Sequence, residues 1–139
     1  MESIIANEAP DPVGLYPHAR RVGSLLFLSG VGPRRKGSKD IPGVTLDDDG
    51  NITSYDIEAQ CHSVFNNVRL ILEASGSRWE DLVDVTVFLT NMKADFATFN
   101  RIYAEYFREN QPCRTTVEVN ALPTPIAIEL KCVAVVGTP

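Results

Sequence analysis

Two ionisable side chains late in the chain carry the clearest chemistry. Arg114 stands in Pro112-Cys113-Arg114-Thr115-Thr116-Val117-Glu118-Val119, and Glu129 follows fifteen residues later inside the strand-like run 126–136. An arginine just after a Pro-containing turn and a lone carboxylate in the next strand can meet in one pocket. Arginine binds a carboxylate through two parallel hydrogen bonds. A glutamate near that carboxylate can orient and deprotonate a water. The pair implies hydrolysis of a small carboxylate-bearing molecule.

The elements that must position the pair follow from hydrophobic periodicity. Leu25-Leu26-Phe27-Leu28-Ser29 ends at Gly30 and reads as a buried strand. Residues 30–51 are rich in Gly, Pro, Asp, Arg and Lys and read as one long loop. Asp56 can cap a helix whose apolar face carries Ile57, Cys61, Val64, Phe65, Val68, Ile71 and Leu72, with Gly76 as its stop. Val83, Val85, Val87 and Leu89 alternate with Asp84, Thr86 and Phe88 as a strand. A second helix is expected from near Asp95, with Phe96, Phe99, Tyr103, Tyr106 and Phe107 on its apolar face. Strands at 115–119 and 126–136 close the chain. In the last one, Ile128, Leu130 and Cys132 face opposite to Glu129 and Lys131. This order predicts an α+β fold with two helices on one face of a mixed sheet. The other face, part polar and part apolar, suggests burial in an oligomer.

A chain of 139 residues predicts a single domain spanning 1–139. Net charge is −5 and pI about 5.0, which argues against general nucleic-acid or anionic-membrane binding. The first residues, Met1-Glu2-Ser3-Ile4-Ile5, do not read as a signal peptide, and no apolar run reaches the ~20 residues of a membrane span. Cys61, Cys113 and Cys132 are odd in number and widely spaced, so reduced thiols in a cytoplasmic setting are expected. With only His18 and His62 beside them and no Cys-x-x-Cys, no metal site is expected.

Taken together, Pro112-Cys113-Arg114-Thr115-Thr116-Val117 and the later Ile128-Glu129-Leu130 resemble the C-terminal signature of the Rid family (RidA/YjgF type). Gly14-Leu15-Tyr16 resembles its Gly-Pro-Tyr segment, and Leu28-Ser29-Gly30 its Ser-Gly strand end. Val87-Phe88-Leu89-Thr90 with Asp95-Phe96 resembles the approach to its second helix. The resemblance spans nearly the whole chain. It implies a chorismate-mutase-like fold with a mixed six-stranded sheet, a homotrimer with clefts between subunits, and cofactor-free hydrolysis of enamines or imines to a keto acid and ammonia. By the same resemblance Arg114 holds the substrate carboxylate, Glu129 orients the water, and Tyr16, Ser29 and Gly30 line the pocket.

Two departures from the family pattern stand out. The stretch 33–55 is longer and carries Arg34, Arg35, Lys36 and Lys39; Met92-Lys93-Ala94-Asp95 holds one residue more, with Lys93 or Ala94 where an asparagine is common. These features are similar to the 2-aminomuconate deaminase branch, whose dicarboxylate substrate gives extra cations a purpose. One of Arg34, Arg35, Lys36 and Lys39, or Lys93, is then expected to meet the distal carboxylate; by default the loop cations would simply be solvated. Arg114 could instead pair structurally with Glu118 or Glu129. Cys113 is expected to be a small buried apolar residue whose carbonyl could hold the water. His18 is expected on a surface loop, and His62 in a structural place on its helix. Competing readings are a general 2-aminoacrylate-type deaminase, a small-ligand-binding protein that does not need Glu129, and an RNA-acting protein, which the acidic charge opposes.

Overall fold

The computed structural model describes residues 1–137. Eight strands and two helices follow in the order β1 (Glu2–Ile4), β2 (Ala19–Val22), β3 (Leu25–Leu28), β4 (Val44–Leu46), β5 (Ile52–Tyr55), α1 (Ile57–Ala74), β6 (Leu82–Leu89), α2 (Met92–Tyr106), β7 (Cys113–Glu118) and β8 (Ile128–Val135). Six of the strands form one sheet in the order β1-β2-β3-β8-β6-β7. Only β6 and β7 run parallel, joined through α2, so the sheet is mixed as expected.

Local chemistry explains the boundaries. Asp56 Oδ1 accepts from the amides of Glu58 and Ala59 and caps α1, a bond worth about 1 kcal/mol. At the other end Gly76 takes φ +74, and the Ser77 amide donates back to the Leu72 carbonyl. Helix α2 begins three residues earlier than the apolar pattern shows, because the Asn91 side chain caps it by accepting from the Ala94 amide. The alternation in β6 also shifts at its start: a bulge between Leu82 and Asp84 turns Val83 outward and puts Leu82 into the core.

Both helices pack on one face of the sheet. Cys61, Val64, Phe65, Val68 and Leu72 of α1 and Phe99 and Ile102 of α2 share a core with Leu26, Leu28, Val85, Val87, Ile128, Leu130 and Cys132. Among the described residues nothing covers the opposite face. Leu25, Phe27 and Val117 on it are 37–39% exposed, with Val133 and Val135 half-buried beside them.

The expectation of a single loop over 30–51 is corrected. β4 and β5 pair as an antiparallel hairpin outside the main sheet, with Asp47 Oδ1 accepting from the amides of Asp49 and Asn51 at its tip. Three-residue β4 is too short to show a period amid polar neighbours. The Tyr55 hydroxyl ties the hairpin to α2 by donating to buried Asp95.

Candidate active site

Arg114 and Glu129 do not meet within one chain. Arg114 is opposite Val85 across β6/β7, and Val85 points at the helices; Glu129 is opposite Phe88 across β6/β8, on the uncovered face. Three residues along the strand and two strand spacings place their Cα atoms about 14 Å apart, on opposite sides of the sheet. Within one chain the two residues therefore stand apart, in two half-sites.

The first half-site gathers around Glu129. A backbone bridge between Val31 and Leu130 brings Gly30 alongside it. The carboxylate lies so close to the Gly30 Cα that an added Cβ would be 2.9 Å from Oε2. Burial raises its pKa above the ordinary range. Among the described residues no cation pairs with it, because neighbouring Lys131 donates to the Leu28 carbonyl instead. A desolvated, unpaired carboxylate holds protons more tightly and accepts one from water more readily.

Gly30 also lines a narrow cavity of about 30 Å³ with Tyr16, His18, Ser29 and Arg34, room for roughly one water. The Ser29 hydroxyl donates to the Pro17 carbonyl, so it faces any ligand as an acceptor. Tyr16 is half-exposed, and its hydroxyl accepts from the Val13 amide. His18 is not on the surface as expected. It is buried, accepting the Ala6 amide at Nδ1 and donating from Nε2 to the Pro10 carbonyl, which selects the Nε2–H tautomer. Its job is to staple residues 6–10 to the base of the Tyr16 loop.

The extended loop splits its cations. α1 pins residues 32–34, with Asn67 donating to the Gly32 and Arg34 carbonyls and Ser63 to Pro33. Arg34 thereby turns toward Tyr16 and Ser29 and donates to the Asp11 carbonyl. Arg35 turns the other way, into a groove beside His62 and Asn66, while the Lys36 ammonium pairs with the Asp11 carboxylate at 2.7 Å. Lys93, exposed in the first turn of α2, lies in neither half-site.

The second half-site is built on edge strand β7 and α2. The Arg114 Nη1 donates to Asn100 Oδ1 at 2.8 Å, and its guanidinium carbon lies 4.6 Å from the Tyr103 ring centroid. Arg114 borders a groove of about 450 Å³ together with Tyr103, Phe107, Arg108, Gln111 and Pro112. Neither carboxylate proposed as a structural partner reaches it: Glu118 accepts from the Met92 amide, and Glu129 is on the other face. Cys113 is exposed rather than buried, because its register opposite Asp84 puts it on the uncovered face. Asn100 carried no mark in the sequence, although it lies in the same helical row as Phe96, Phe99 and Tyr103.

Comparison with known proteins agrees with this architecture. Residues 6–136 match the family described as Endoribonuclease L-PSP. A RutC family protein of Pyrococcus horikoshii is 40% identical over 133 residues, covering 96% of each chain. The chloroplastic Reactive Intermediate Deaminase A of Arabidopsis thaliana is 36% identical over 96% of this chain and 65% of its own. Among solved structures, E. coli TdcF with bound serine superposes with a TM-score of 0.83 at 30% identity, covering 97% of this chain and 98% of that one. The YjgF gene product of E. coli gives 0.82 at 31%, with the same coverage. The fold defines an α+β protein of the Rid type. The chain belongs to the Rid family, also known as YjgF, RutC or L-PSP.

Proposed function

We propose that this protein is a hydrolytic deaminase of small enamine and imine carboxylates, assembled as a homotrimer in which the Glu129 face of one copy meets the Arg114 edge of the next. The observation that carries this reading is the unpaired, desolvated Glu129 on the sheet face that the helices leave bare, the same face that exposes Leu25 and Phe27. The name Reactive Intermediate Deaminase on a relative 36% identical supports the same chemistry.

In this reading Arg114 grips the carboxylate next to the C–N bond. The enamine tautomerises to an imine by protonation on carbon. Water held by Glu129 loses a proton to the carboxylate and adds to the imine carbon. The tetrahedral intermediate then takes a proton on nitrogen, forms the ketone and expels ammonia. One water is consumed and one ammonia released, with no protein nucleophile, because the imine is already electrophilic. Proton transfer of this kind contributes roughly 10²–10⁴-fold.

The finer proposal is that the substrate is 2-aminomuconate, giving 4-oxalocrotonate and ammonia. The cation supporting it is Arg34, which alone of the loop cations lines the Tyr16–Ser29–Gly30 cavity. The net charge of −5 weighs against an RNA substrate.

The test is ammonia release from enzymatically generated 2-aminomuconate and 2-aminoacrylate. Activity on either, lost in Arg114→Ala and Glu129→Gln, supports the deaminase; inactivity on both overturns it. Arg34→Ala losing activity only on 2-aminomuconate supports the dicarboxylate proposal. Phe27→Glu yielding inactive monomers by light scattering supports the shared cleft, and active monomers overturn it.

A further inference from the structure

The Arg114 guanidinium has no carboxylate within ion-pair distance among the described residues, yet it is held firmly. An arginine on an edge strand ordinarily samples many rotamers. Here Asn100 Oδ1 accepts from Nη1 at 2.8 Å, and the guanidinium carbon sits 4.6, 5.4 and 5.9 Å from the ring centroids of Tyr103, Phe99 and Phe96. These four residues form one row on α2, at spacings of three and four. The Tyr103 ring is itself fixed, stacked on Phe107 at 4.2 Å and packed against Phe99 at 5.5 Å. Its hydroxyl is buried with no hydrogen-bond partner, so the ring serves as a platform rather than as a donor.

We propose that Asn100 and Tyr103 are positioning residues that hold Arg114 in the orientation that receives the substrate carboxylate. The proposal rests on the deaminase reading above. Asn100 occupies one of the five guanidinium N–H groups, which leaves two neighbouring ones for a bidentate carboxylate. Tyr103 supplies cation–π attraction that fixes the plane of the group without neutralising its charge. An acidic residue in place of Asn100 would hold the arginine equally well but cancel the charge that the substrate needs.

Pyruvate, which carries the 2-oxo carboxylate of such a product, serves as the probe. Its affinity is measured by calorimetry on the full chain, with KM and kcat followed in parallel. Asn100→Ala and Tyr103→Leu are each expected to weaken pyruvate about tenfold and to raise KM more than they lower kcat. Tyr103→Phe, which keeps the ring, stays within about twofold of the parent protein on the same grounds. In an Arg114→Lys background Asn100→Ala should add little, because the group that it positions is gone. Asn100 is exposed, so its variant is expected to fold even where Tyr103→Leu does not. Wild-type affinity in Asn100→Ala, with binding lost in Arg114→Ala, overturns the clamp alone. So does an equal Asn100→Ala effect in the lysine background. Unchanged binding in Arg114→Ala overturns the carboxylate role of Arg114, and the clamp with it.

Discussion

The Glu129 carboxylate rests on the Cα of Gly30, so closely that a methyl group there would fall 2.9 Å from Oε2 and 3.0 Å from Cδ. Gly30 is needed for close approach, since its φ is not positive. Gly30→Ala should push the flexible end of Glu129 aside and leave the strands intact. The expected outcome is a thermal midpoint close to that of the parent protein and a kcat reduced roughly tenfold or more. An unchanged kcat would show that the carboxylate position is not critical.

The rate should also fall on acidification at a higher pH than an ordinary glutamate would dictate. Burial raises the Glu129 pKa above its usual 4.5, and only the ionised form can take the water's proton. A pH profile of kcat/KM should show this acid limb, and Glu129→Gln should abolish it along with most of the rate. The stability effect has the opposite sign. A carboxyl whose folded pKa is raised favours the folded state most below its unfolded pKa, and that advantage is lost as pH rises through the folded value. Glu129→Gln should therefore flatten the stability profile across that window.

The Tyr55–Asp95 bond gives a third expectation. Burial raises the Asp95 pKa, and the 2.6 Å hydrogen bond from Tyr55 partly offsets that rise. Tyr55→Phe leaves the buried carboxylate without that donor, at a cost of about 1–3 kcal/mol. The loss should be largest at neutral pH, where Asp95 is ionised, and should shrink as acid protonates it. Urea unfolding at pH 7 and near pH 4 checks both the size and the trend.

His18 offers a fourth. His18→Leu leaves the Ala6 amide and the Pro10 carbonyl without their partner, and about 2 kcal/mol or more of stability should go with it. His18→Gln, which can both accept and donate, should recover part of the loss. Denaturant midpoints of the two variants decide the matter.

Much of this fold was legible because its long elements bury a single face. α1, α2 and β8 show their periods plainly, and Asp56 and Gly76 mark the ends of α1. What the sequence hid was register. Which strand lies beside which, and on which face each residue then points, depends on tertiary pairing. That is why the opposite faces taken by Arg114 and Glu129 could not be read, whereas Cys113 looked buried because cysteine usually is. His18 gave no local sign of its burial, since its partners are the backbone groups of Ala6 and Pro10. Asn100 escaped notice because a polar residue on an exposed helical row is the ordinary case, and only the arrival of Arg114 from β7 gives it a role.

The β4–β5 hairpin pairs only with itself. It meets the rest of the molecule at Gly43, where φ is +71 and the Asp56 carbonyl leaves no room for a side chain, and at the Tyr55–Asp95 bond. Its tip can therefore lengthen, shorten or change charge without shifting a single pairing in the six-stranded sheet. The hairpin behaves as a cassette, and its ties at Gly43 and Tyr55 rather than the whole core determine which versions of it the fold will accept.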